Sequence, residues 1–166
     1  MAYYCSLQAL QSREREITMF LKNCWYVAGW SKDYKAELRP QKILGENIVF
    51  YRQRDGKAVA LEDACPHRKL PLSQGQLCDD TVICGYHGLT FDGSGTCVDA
   101  PTQRDSIPKR ATVKSYPVID RYRLLWIWMG DLAKANPDDI FKIENFDNPE
   151  WGYTEGGMIP IECNYL

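Results

Sequence analysis

Histidine is scarce in this sequence: 166 residues contain two, His67 and His87. A site that needs a third imidazole cannot be built from this chain. The seven cysteines include no Cys-x-x-Cys or Cys-x4-Cys pair, which excludes an iron–sulfur cluster held by cysteine alone. Long apolar runs are also missing. The longest, Leu124-Leu125-Trp126-Ile127-Trp128-Met129, falls far short of the roughly 20 residues that cross a bilayer, so no membrane anchor is expected. Neither sign of charge dominates. Twenty Lys and Arg stand against 22 Asp and Glu, a net charge of −2 that offers no grip on nucleic acid. No basic stretch followed by an apolar segment opens the chain, so no secretory signal is expected either. Cys5, Cys24, Cys78, Cys97 and Cys163, the cysteines away from the histidines, are odd in number and read as reduced thiols of a cytoplasmic protein.

The chemistry is concentrated in the middle of the chain. Both histidines follow a cysteine within a few residues, in Cys65-Pro66-His67-Arg68 and in Cys84-Gly85-Tyr86-His87-Gly88. Two thiolates and two imidazoles can hold one metal ion or be divided between two. Zinc fingers usually order a cysteine pair before a histidine pair, whereas each loop here alternates cysteine and histidine. That alternation suits a Rieske [2Fe–2S] centre, in which two cysteines hold one iron and two histidines the other. Pro66 and Pro71 stiffen the first loop. Gly85 and Gly88 bracket the second and permit the positive φ angles and close backbone approach that a cluster-cradling loop needs, and backbone N–H groups freed in such loops can point at sulfur. The competing readings are a zinc-stabilised binding module, and two core histidines that merely lie near free thiols.

Three stretches, Cys65-Pro66-His67-Arg68, Pro71-Leu72-Ser73-Gln74-Gly75 and Cys84-Gly85-Tyr86-His87-Gly88-Leu89, resemble the Rieske domain of aromatic ring-hydroxylating oxygenases. The subgroup they resemble most includes vanillate O-demethylase and phthalate dioxygenase oxygenase components. The likeness runs from about Asn23-Cys24-Trp25-Tyr26 to the last residues, Cys163 to Leu166. One departure is Lys69, where many family members carry glycine. The resemblance implies a cluster held by Cys65, His67, Cys84 and His87, electrons supplied by an NAD(P)H-dependent reductase or ferredoxin, and a homotrimeric parent enzyme. It also implies a mononuclear Fe(II), held by two histidines and a carboxylate, in a domain this chain lacks. The divisions expected are an extension over residues 1–20, a Rieske domain over 21–132, and a connector with the truncated start of a catalytic domain over 133–166.

Short segments punctuated by turn residues predict an all-β fold of small antiparallel sheets. Strands are expected at Lys42–Leu44, Ile48–Tyr51, Ala58–Leu61, Thr81–Ile83, Leu89–Phe91, Thr96–Val98, Thr112–Val118 and Leu124–Met129. The last pair is expected to turn around Asp120-Arg121, and Gly45-Glu46-Asn47 and Asp55-Gly56 are read as turns. Leu7, Leu10 and Ile17 allow a short amphipathic helix within Met1–Thr18. Asn136-Pro137-Asp138-Asp139 marks a helix start or turn, and Ile159–Leu166 reads as an unfinished strand. Trp25, Tyr26 and Trp30 are assigned to core. Glu62-Asp63 is assigned to a solvated loop, and Arg68 and Lys69 to a solvated loop or a docking point for an acidic reductase.

These features point to electron transfer. Rieske proteins of respiratory cytochrome bc complexes resemble a pattern with a disulfide between the ligand loops and hydroxyl donors to the cluster sulfurs. The corresponding positions here are Leu70 and Tyr86, and Leu89 and Phe91. Their absence implies a potential in the lower part of the Rieske span of about −150 to +300 mV. The function expected is delivery of electrons to an oxygenase that hydroxylates or O-demethylates aromatic compounds. The alternative is a stand-alone, low-potential Rieske ferredoxin.

Overall fold

The computed structural model describes residues 20–101, 107, 111–154, 156 and 159. The expected helix within Met1–Thr18 and nearly all of the expected strand at Ile159–Leu166 lie outside them. Among the described residues every regular element is a β-strand or a 3-10 turn, as the segment lengths and turn residues foretold.

Eleven strands among the described residues form three antiparallel sheets. The first sheet has the order β1 (Cys24–Trp30), β11 (Leu124–Met129), β10 (Val118–Arg121). The second contains β2 (Arg39–Ile43), β3 (Glu46–Arg52), β4 (Ala58–Glu62) and β9 (Ser115–Tyr116) in that order. The third runs β5 (Gln76–Cys78), β6 (Thr81–Ile83), β7 (Thr90–Phe91), β8 (Cys97–Asp99).

The second sheet is the middle layer, and its strands explain why. Side chains alternate between the faces of a strand. Ile48 and Phe50 of β3, with Ala58 and Ala60 of β4, join Leu125, Ile127 and Met129 of the first sheet in one core. Val49 and Tyr51, with Val59 and Leu61, face the other way and join Val82, Phe91, Cys65 and Cys84 in a second core. A strand buried on both faces reads as a continuous apolar run, which accounts for Ile48-Val49-Phe50-Tyr51.

Two hairpins close differently from expectation. The β10–β11 turn is Tyr122-Arg123, with Arg121 paired to Leu124 and φ of 57° and 60° at the two turn residues. The β2–β3 turn is Leu44-Gly45, again with both φ positive. Two-residue loops of this kind match the twist of the strands they join. The 3-10 turn Pro137–Asp139 forms at Asn136, whose side chain accepts the Asp138 N–H.

Candidate metal centre

The two candidate ligand loops are built alike. In the first, the Cys65 N–H donates to the Leu70 carbonyl (2.8 Å) and the Lys69 N–H returns to the Cys65 carbonyl (2.8 Å). In the second, Cys84 N–H donates to Leu89 O (2.8 Å) and Gly88 N–H to Cys84 O (3.1 Å). The same six-residue ring is used twice. Its fifth position takes a left-handed backbone in both, φ 58° at Lys69 and 74° at Gly88. This explains why glycine suits position 69: a lysine there carries a conformational cost of about 1 kcal/mol that glycine avoids.

The loops come from different sheets. The first follows β4 of the middle sheet, and the second spans the β6–β7 hairpin of the third. Their side chains sort by type. Cys65 and Cys84 are buried, at 2% and 3% exposure, with their thiols facing one another. His67 and His87 lie further out, the first exposed and the second half-buried, with ring centroids 4.6 Å apart. All four line one small hollow, together with Arg68, Leu70, Tyr86 and Leu89.

Burial pushes the Cys65 thiol above its ordinary value, and the facing Cys84 adds to this, while the backbone N–H groups of His67 and Arg68 at its sulfur pull the other way. A thiol so placed keeps its proton until metal displaces it, so metal loading releases protons. In the second loop Gly88 takes the positive φ expected there and Gly85 does not; Gly85 serves instead the close approach of the Gln74 carbonyl. The donor set fits a binuclear cluster: sulfur pairs with sulfur inside, imidazole with imidazole at the rim.

Beside the histidines, the Tyr86 ring lies on His87 with centroids 3.9 Å apart, and the Arg68 guanidinium sits over Tyr86 at 5.9 Å. Lys69 pairs with Glu62 at 3.7 Å. Behind the loops, the 3-10 turn Leu72–Gln74 is wedged between them. A Cβ on Gly75 would stand 2.1 Å from the Ile83 carbonyl oxygen, and one on Gly85 3.1 Å from that of Gln74. Close approach is what Pro71-Leu72-Ser73-Gln74-Gly75 contributes.

Sequence reasoning misassigned one residue here. Asp63 is buried at 7% exposure, not solvated, and its carboxylate accepts hydrogen bonds from Ser73. Acidic residues are rarely buried unless partnered, and the partner lies too far along the chain for spacing to reveal it. Trp25 and Trp30 are half-buried in the first sheet, where Trp25 packs on Trp128 and donates from Nε1 to Asn136 O (2.7 Å). The five described cysteines are free thiols.

Residues 24–117 match the Rieske [2Fe-2S] domain family. The chain belongs to this family. The [2Fe–2S] cluster is therefore its cofactor, and the resemblance carried by the two ligand motifs holds. Among known proteins, the chain is 49% identical over 148 residues to the toluene-4-sulfonate monooxygenase system iron-sulfur subunit TsaM1 of Comamonas testosteroni, covering 89% of this chain and 42% of that protein. It is 44% identical over 147 residues to a vanillate O-demethylase oxygenase subunit of Pseudomonas sp. (strain HR199 / DSM 7063), with 89% and 41% covered. A crystal structure of dicamba monooxygenase superposes with a TM-score of 0.75 at 41% identity, over 80% of this chain and 42% of that one. The Rieske chain thus spans less than half the length of the oxygenase subunits it matches. None of its described helices is long and apolar enough to cross a membrane.

Proposed function

We propose that Cys65 and Cys84 hold one iron of the cluster and His67 and His87 the other, and that the chain passes electrons from an NAD(P)H-dependent reductase or ferredoxin to the mononuclear iron of an aromatic-compound oxygenase. The observation that carries this reading is the sorting of the four side chains, with the sulfurs buried together and the imidazoles 4.6 Å apart at the rim. When bound, a Rieske cluster supplies reversible one-electron transfer. The residues around it perform three tasks. Cys65 and Cys84 anchor the inner side in the apolar core, away from water. The N–H groups of His67 and Arg68 turn towards the Cys65 sulfur and offset its charge. His67 and His87 present the imidazole edge outward, where a redox partner can reach it.

In this reading residues 21–132 form the electron-carrying domain and 133–166 the connector towards a catalytic domain. Both histidines are committed to the cluster, so the oxygen-activating iron lies in the remainder of a cytoplasmic, homotrimeric parent enzyme that hydroxylates or O-demethylates an aromatic substrate. A free-standing ferredoxin is the second reading. The oxygenase reading is favoured because likeness to oxygenase subunits covers 148 residues, well beyond the span of the strands.

The test is metal and sulfide analysis with spectroscopy of the reduced protein. About two irons and two acid-labile sulfides per chain are expected, with loss of the Rieske spectrum in Cys65→Ser and His87→Ala. A colourless zinc protein would overturn the reading. Reduced chain should convert no aromatic substrate by itself, and substrate oxidation by it would refute the division of labour.

A further inference from the structure

Asp63 is the one charged side chain among the described residues that is buried. Electron transfer as derived above does not use it. Its backbone N–H donates to Asn47 O at 2.9 Å, which fixes it to the middle sheet. Its side chain reaches forward. One carboxylate oxygen accepts the Ser73 N–H at 2.7 Å and the other the Ser73 hydroxyl at 2.6 Å. Cys65 and His67 lie between these two residues, so the contact clasps the first ligand loop at both ends.

The clasp also reaches the second loop. Ser73 belongs to the turn Leu72–Gln74, whose Gln74 carbonyl and Gly75 backbone lie against Gly85, and Gly75 is pressed on the carbonyl of Ile83, the residue before Cys84. These backbone contacts leave no slack. A displacement of Ser73 is therefore passed to the loop that carries Cys84 and His87.

We propose that Asp63, acting through Ser73, is a positioning residue that sets the separation of the two ligand loops and so holds the cluster's four ligands in register. The inference rests on the ligand assignment proposed above. A carboxylate is suited to the task because it accepts two hydrogen bonds from one residue at once, which fixes orientation as well as distance.

The test uses the cluster-bearing chain and two measurements, the rate of iron release to excess EDTA and the g values of the reduced cluster. Asp63→Ala should speed release by about 10–100-fold, the usual cost of losing a group that orients metal ligands, and should shift the g values. Ser73→Ala, which keeps the N–H contact, should move both in the same direction by less. Asp63→Asn can accept from the Ser73 N–H and donate to its hydroxyl, and should recover most of the retention. Wild-type release and g values in both alanine variants would overturn the proposal. So would an Asp63→Asn variant as impaired as Asp63→Ala, which would assign the effect to charge. If Asp63→Ala does not fold, Ser73→Ala decides alone. Cys65→Ser and His87→Ala separate the two claims: a wild-type spectrum in these sinks the ligand assignment, whereas its loss beside an unaltered Asp63→Ala sinks only the clasp.

Discussion

Gly75→Ala tests whether the turn behind the ligand loops is held by space alone. Gly75 has φ −89° and ψ −150°, an extended backbone open to any residue, so no conformational penalty attends the change. The obstacle is the Ile83 carbonyl oxygen 2.1 Å from the new methyl, with the Leu72 carbonyl oxygen at 3.0 Å. Relief requires the turn to retreat by more than an ångström. Little can give, because both neighbours are backbone and Gln76 is already paired to Ile83 in the β5–β6 ladder. Overpacking of this kind costs about 1–3 kcal/mol, and a clash with fixed backbone belongs at the upper end. At roughly 2–4 °C per kcal/mol for a chain of this size, Tm should fall by about 6–12 °C. Thermal unfolding followed at the cluster's visible absorbance and by far-UV circular dichroism measures it. Gly152→Ala, with nothing within 4 Å of its added carbon, is the control and should stay within about 0.5 kcal/mol. A Gly75→Ala protein that melts with the wild type and keeps its cluster would refute the reasoning.

Other expectations follow from the same geometry. Burial raises the Glu46 carboxyl, but hydrogen bonds from Lys114, Lys22 and Tyr116 outweigh it and hold it at about 2. A carboxyl lowered on folding contributes stability that is full above its unfolded value and lost as pH falls towards the folded one. Wild type should therefore lose about 1 kcal/mol more than Glu46→Gln between roughly pH 5 and 2, as read from denaturant midpoints. Arg52 donates to Asp120 through both Nη atoms at 2.8 Å and also to Ser31, Tyr34 and Gly56, tying three segments together. Asp120→Ala leaves that guanidinium without its counter-charge and should cost about 2–3 kcal/mol in urea unfolding. Leu89, buried beside Cys84, is changed to serine to supply a hydroxyl near cluster sulfur. One such bond of about 1 kcal/mol raises a one-electron potential by roughly 40 mV in voltammetry. Arg68→Glu with Lys69→Glu should slow reduction by the reductase and weaken its salt dependence, since rim charges act on association rate; equal rates at low ionic strength would return both residues to the solvated loop.

The all-β fold class was legible in the sequence, and candidate ligands were easier to pick out than the bounds of individual strands. Cys65, His67, Cys84 and His87 stood out because histidine is rare and each one trails a cysteine, a pattern that local spacing records. β11 was read with its observed bounds because Leu124–Met129 is apolar throughout. β1 was not, since Cys24–Trp30 is mostly half-buried and shows neither clean alternation nor a bounding turn. The β10–β11 turn was placed two residues early. Tyr122 and Arg123 carry no turn signature; their positive φ is what a two-residue hairpin demands, and their side chains meet residues far along the chain, Tyr122 against Phe146 at 5.1 Å and Arg123 over Tyr153 at 4.5 Å. Asp63 was misread for a related reason. Its role depends on Ser73 folding back to it, which only the assembled turn reveals.

Sheet order has a topological consequence. The segment carrying the four proposed ligands leaves the middle sheet after Glu62 and returns at Lys114, and these two residues are hydrogen-bonded to each other, Glu62 N to Lys114 O at 2.8 Å. A long excursion thus begins and finishes at one place, beside the Leu61–Ser115 pair. Such an excursion is modular. It can be exchanged for a homologous one, or moved to another antiparallel pair of strands, without re-threading the layers beneath, because tolerance to insertion depends on ends that meet. What a transplanted excursion must bring with it is a matching underside, since Val49, Tyr51, Val59 and Leu61 of the middle sheet share one core with Cys65, Leu72, Val82 and Cys84.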